Sequence, residues 1–66
     1  MTTEVLTNRQ RQVLAGVAAG HGHKQIAREL EISRCTVKQH LVFARAAMQA
    51  RTSVEAAIKA TKAGLL

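Results

Sequence analysis

The sequence predicts an all-α fold of four short helices, on three observations. Nearly half of the 66 residues are apolar, yet the chain has one Phe, no Tyr, no Trp and no Pro. Its apolar content is therefore Leu, Ile, Val, Met and much Ala, which favours closely packed helices over sheets. Gly punctuates the chain at Gly20, Gly22 and Gly64, and hydroxyl residues suited to helix N-caps stand at Thr7, Ser33 and Thr52. A chain of this length supports one domain, residues 1–66, with no linker, repeat or low-complexity block. So small a core predicts marginal stability, supplemented by self-association.

Thr7 followed three residues later by Gln10 has the form of a capping box and starts the first helix. Val13, Leu14, Val17 and Ala18 then recur at the spacing of one helical face, and Gly20 suits the left-handed position that ends it. The second helix runs from about His23 to Leu30, with Ile26, Ala27 and Leu30 inward and Lys24, Gln25 and Arg28 outward. Its first turn follows Gly22, where free backbone N–H groups can seat a phosphate.

Ile32 plugs the core across a tight turn, and Ser33 caps a third helix with Val37, Leu41, Ala44 and Met48 inward. The outward face carries Arg34, Lys38, Val42 and Arg45, with Gln39 beside them. Residues 24–47 thus read as a helix-turn-helix. A fourth helix, 53–63, starts at the capping-box pattern Thr52-Ser53-Val54-Glu55 and stops at Gly64. Its mostly apolar face of Val54, Ala57, Ile58 and Thr61 either covers the first helix or pairs with a copy of itself across a two-fold axis.

Ten Lys and Arg against four Asp and Glu give a formal charge of +6, which suits a polyanionic partner. Other chemistries find little support. The carboxylates Glu4, Glu29, Glu31 and Glu55 have no pairing on one face, and no nucleophile has a base and an orienter, so no enzyme is expected. His21, His23, His40 and Cys35 lack metal-ligand spacing, so neither a metal nor another cofactor is expected. His21 reads as a solvated turn residue, and Cys35 as a small residue near the start of the third helix. A single Cys points to a reducing compartment, the apolar runs are far too short for a membrane span, and the N-terminus lacks the order of a signal peptide. A cytoplasmic protein with no membrane contact is expected.

From Leu6-Thr7-Asn8-Arg9-Gln10-Arg11-Gln12-Val13-Leu14 through Gly20, Lys24-Gln25-Ile26-Ala27, Ile32-Ser33, Thr36-Val37-Lys38 and His40 to Gly64-Leu65-Leu66, the chain resembles the LuxR/FixJ/GerE-type helix-turn-helix domain. The resemblance covers nearly the whole chain. It implies a four-helix domain that binds double-stranded DNA as a homodimer, its third helix in the major groove and its fourth at the dimer contact. Carried over by position, Lys38, Gln39 and Val42 fall where the family reads base edges, and Lys24, Thr36 and His40 fall at or near backbone-contacting positions. Arg34 and Arg45 join the backbone set from the exposed face. The residue types agree: Lys donates to guanine O6 and N7, Gln pairs bidentately with adenine, and Val offers apolar contact to a thymine methyl. Val54, Ala57, Ile58 and Thr61 are the implied dimer interface.

Where family members commonly carry a basic residue and then Leu, this chain has Ala46-Ala47-Met48. Arg45-Ala46-Ala47 is also similar to the DNA-binding region four of sigma factors. Two functions follow. The first is a sequence-specific transcriptional regulator, free-standing in the manner of GerE. The second is a protein-interaction module that binds and modulates RNA polymerase or another transcription factor.

Overall fold

The computed structural model describes residues 6–66, so Glu4 and the first five positions of the expected domain lie outside the described residues. It contains four helices: α1 (Asn8–Ala18), α2 (His23–Leu30), α3 (Arg34–Met48) and α4 (Ser53–Lys62). The helix-turn-helix is one residue longer at each end than expected, and α4 is one residue shorter.

Three of the four starts are set by the side chain that meets the first free N–H groups. At α1 the capping box is complete, with Gln10 N–H donating to Thr7 Oγ1 at 3.1 Å and Thr7 N–H to Gln10 Oε1 at 3.0 Å. At α3 the Ser33 hydroxyl accepts from Thr36 N–H at 3.1 Å. At α4 Thr52 Oγ1 accepts from Glu55 N–H at 3.0 Å, but the expected return bond is displaced by one residue: Glu55 Oε1 accepts from Arg51 N–H at 2.9 Å. The box motif is therefore half formed, and its acidic member braces the loop before the helix. The start of α2 has no side-chain cap, since Gly22 is its N-cap residue.

All four helices end alike. One residue turns left-handed, and the next N–H reaches back five residues to a helical carbonyl: His21 to Gly16, Ile32 to Ala27, Ala50 to Arg45 and Leu65 to Ala60, at 2.8–3.0 Å. The left-handed residues are Gly20, Glu31, Gln49 and Gly64. The residue that follows three of them, Ile32, Ala50 and Leu65, packs against the core. Helix termination and core closure are thus one event.

The core holds Leu6, Val13, Leu14, Ile26, Ala27, Val37, Leu41, Ala44, Ala56, Ala57 and Ala60. α3 runs through the middle, touching α1, α2 and α4, while α1 and α4 pack on each other. Of the expected inward face of α1, Val13 and Leu14 are fully buried, Val17 is half-buried and Ala18 is exposed. The larger difference is in α4, whose buried residues are Ala56, Ala57 and Ala60. Of the expected stripe only Ala57 enters the core, whereas Val54 and Ile58 stay 60% and 50% exposed. Small side chains let α4 lie close to its neighbours, so its larger apolar residues are left outside.

Candidate nucleic-acid interface

α3 positions the site, and Ser33 positions α3. The Ser33 hydroxyl also lies 2.9 Å from Thr36 Oγ1, so the half-buried Thr36 side chain belongs to the cap. From this fixed start, 3.6 residues per turn sort the helix into faces. Val37, Leu41 and Ala44 are buried. Arg34, Lys38 and Arg45 share one outer edge, Cys35, Gln39, Val42 and Ala46 the centre of the outer face, and Thr36, His40, Phe43 and Ala47 the other edge.

The basic edge continues onto α2. His23, Lys24, Arg34, Cys35 and Lys38 line one shallow depression, and His23, Lys38, Val42 and Arg45 line a second together with Leu41 and Ser53. Lys24, Arg34, Lys38 and Gln39 are exposed, and His40 is half-buried. Arg45 differs from its neighbours: it is half-buried, and its Nη1 donates to the Arg51 carbonyl at 3.3 Å. It therefore ties α3 to the loop before α4 as well as bordering the basic edge. The Nε of Arg45 is buried with no hydrogen-bond partner among the described residues.

Lys24, Gln25 and Arg28 lie with Gly22 and Glu29 around a third depression at the uncapped start of α2. Two cations, Lys24 and Arg28, border it together with the Glu29 carboxylate, and the uncapped helix start adds its positive dipole end. His21 is not the solvated turn residue expected. It is half-buried, and its Nδ1 lies 3.3 Å from Glu29 Oε1 across the α1–α2 turn. No group of three His, Cys, Asp or Glu side chains stands close enough to hold a metal ion among the described residues.

Between them α1 and α4 leave an apolar groove of about 340 Å³, lined by Val17, Ala18, Val54, Ala57, Ile58, Thr61 and Lys62. The Thr61 hydroxyl donates to the Ala57 carbonyl one turn back at 2.8 Å, which satisfies that polar group within α4. The four residues expected at a dimer contact thus line one groove, with Ala57 at its buried base.

Sequence reasoning missed Phe43, at 62% the most exposed of the large apolar side chains among the described residues. Its signal was available, since it falls on the outer face once Val37, Leu41 and Ala44 are assigned to the core. No helix among the described residues is long and apolar enough to cross a membrane.

Residues 4–60 match the family described as bacterial regulatory proteins, luxR family. The chain is 42% identical over 53 residues to the nitrate/nitrite response regulator protein NarL of Escherichia coli strain K12, and equally to that of Escherichia coli O6:H1 strain CFT073. Each match covers 80% of this chain and 24% of the relative, so the chain spans about a quarter of the length of these proteins. The chain belongs to the luxR family of bacterial regulatory proteins, as a DNA-binding helix-turn-helix domain.

Proposed function

We propose that this domain binds duplex DNA sequence-specifically as a homodimer and so regulates transcription in the bacterial cytoplasm. α3 enters the major groove, Lys38, Gln39 and Val42 read base edges, and Lys24, Arg34, Thr36, His40 and Arg45 hold the phosphate backbone. The observation that carries this reading is the continuous basic edge from Lys24 through Arg34 and Lys38 to Arg45, beside the uncharged centre formed by Gln39 and Val42. Phosphate contacts supply affinity without sequence information, and base edges supply discrimination. Residues 53–63 form the dimerisation element, through Val54, Ala57, Ile58 and Thr61. A two-fold dimer presents two copies of α3, which suits half-sites about one helical turn apart.

Selection of bound sequences from a random duplex library at about 0.15 M salt tests the reading, because exposed-charge attraction is substantially screened there. An enriched palindrome supports it, and no enrichment sinks it. The apolar groove between α1 and α4 supports a second reading, in which the domain uses that surface to bind RNA polymerase or another transcription factor. Binding to a protein partner by a chain that enriches no DNA sequence would favour that alternative.

A further inference from the structure

We propose that Phe43 is a specificity-determining residue which, with Val42, takes the C5-methyl groups of thymines, so that the preferred half-site carries successive A·T pairs under the C-terminal half of α3. This rests on the reading that α3 enters the major groove. Val42 and Phe43 are 51% and 62% exposed, and Gln39 and Ala46 are exposed beside them. On a helix these four positions are neighbours, because residues three and four apart meet on the surface. They form a patch with no charge, bordered on one side by Arg34, Lys38 and Arg45.

The chemistry of the patch selects among base pairs. In the major groove an A·T pair presents the adenine N6 and N7 pair and a thymine methyl beside O4, whereas a G·C pair has no methyl and offers the cytosine amino group. Gln39 matches the adenine edge bidentately, and Val42 and Phe43 match the methyl. No side chain of the patch is charged, so a cytosine amino group placed against Val42 or Phe43 meets carbon and loses its water. Lys38, outside the patch, remains free to donate to a guanine nearer the start of α3. The cations along that one edge, Arg34, Lys38 and Arg45 with Lys24 of α2, favour nucleic acid as the occupant, since they complement a phosphate backbone running beside the patch.

The test removes the methyl groups and nothing else. The half-site enriched by the purified protein is remade with deoxyuridine in place of each thymine in turn, and Kd is measured at about 0.15 M salt for the unaltered chain and for Phe43→Ala. Loss of each contacted methyl is expected to weaken binding by the unaltered chain about fourfold, the effect of removing one apolar carbon from contact. Phe43→Ala is expected to bind the thymine and uracil duplexes equally at one of those positions while still distinguishing Val42's thymine. Its helical circular dichroism and melting temperature should match those of the unaltered chain, because the side chain stands outside the core. Equal affinity of the unaltered chain for thymine and uracil duplexes overturns the proposal, as does selection of G·C pairs or of a half-site without thymine. Those results leave DNA recognition by α3 standing. A chain that enriches no sequence overturns both readings.

Discussion

Ile26 of α2 packs against the bare backbone of Gly16 in α1: a Cβ at Gly16 would stand 2.7 Å from Ile26 Cγ1 and 3.0 Å from its Cδ1. This close approach seats the first helix of the helix-turn-helix on α1. Ile26 is 1% exposed, so protein atoms surround the side chain that would have to move. Glycine inside a helix ordinarily costs roughly 1 kcal/mol relative to alanine. Here the close approach opposes the gain that alanine would bring.

Gly16→Ala is therefore expected to destabilise the domain despite its better helix propensity. Overpacking a filled core costs about 1–3 kcal/mol, which exceeds the propensity gain at the upper end of the range. With a net loss of about 1 kcal/mol, the melting temperature of a domain this small should fall by roughly 4–8 °C. A rise in melting temperature for Gly16→Ala would show that Ile26 can move aside.

Lys59 binds the end of α3 from a different helix. Its Nζ donates to the Gln49 carbonyl at 2.8 Å and to the Met48 carbonyl at 3.4 Å, and lies 3.9 Å from Glu55 Oε1. A cation there satisfies carbonyls that have no helical partner and faces the negative end of the helix dipole. Lys59→Met keeps the aliphatic stem and removes the charge. A loss of about 0.5–1 kcal/mol in urea unfolding is expected. The loss should shrink as salt is raised, and a loss independent of salt would count against an electrostatic role.

Gln49 is left-handed at φ 53°, a conformation that Gly20 and Gly64 take at no steric cost. The left-handed region costs an ordinary residue roughly 1–2 kcal/mol, partly offset by the extra freedom that Gly has in the unfolded chain. Gln49→Gly is expected to stabilise the domain by about 0.5–1 kcal/mol, since the carbonyl that Lys59 holds is backbone and remains in place. A thermal melt shifted downward would mean that the Gln49 side chain has a stabilising contact of its own.

Thr7, Ser33 and Thr52 announced helix starts because short hydroxyl side chains meet free N–H groups, and Gly20 and Gly64 announced ends because their positive φ needs no Cβ. Glu31 and Gln49 gave no such sign: the back-bonds of Ile32 and Ala50 and the packing of those side chains hold them left-handed, and those are tertiary effects. The inward face of α4 was hidden for another reason. Ala56 and Ala60 carry little hydrophobic weight, so Val54 and Ile58 dominated the pattern although they face outward. At the candidate interface, the outer position of Lys38, Gln39 and Val42 followed from periodicity, but the Arg45 bond to the Arg51 carbonyl depends on a loop conformation no local pattern encodes.

Ile58→Glu tests the proposed dimer contact without entering the core. Ile58 is 50% exposed and lines the groove between α1 and α4, so a charge there should leave the melting temperature of the isolated domain little changed. In a dimer the carboxylate would be buried opposite apolar atoms, a placement costing several kcal/mol unless it is paired. Sedimentation equilibrium should show a monomer, and binding to a two-half-site duplex should lose its cooperativity. A variant that still sediments as a dimer would place the contact elsewhere.

The proposed division of labour on α2 and α3 is tested by comparing two lysines. Lys38 lies on the exposed edge of α3 beside Val42, in the position proposed to reach guanine O6 and N7, whereas Lys24 lies on α2 beside the uncapped start of that helix. Both carry one charge, so general electrostatic attraction predicts the same behaviour for the two alanine variants. The interface predicts a difference. Lys38→Ala should relax preference at one base pair by about 1–3 kcal/mol and have a smaller effect on unrelated duplexes. Gln39→Ala should do the same at an adjacent A·T pair. Lys24→Ala should weaken all sequences alike and lower the slope of log affinity against log salt by about 1, the contribution of one released counterion. Titrating each variant against the selected half-site and its single-pair mutants, at two salt concentrations, separates these outcomes. If Lys38→Ala lowers affinity for every duplex equally, Lys38 is a phosphate contact, and discrimination falls to Gln39 and the apolar patch beside it.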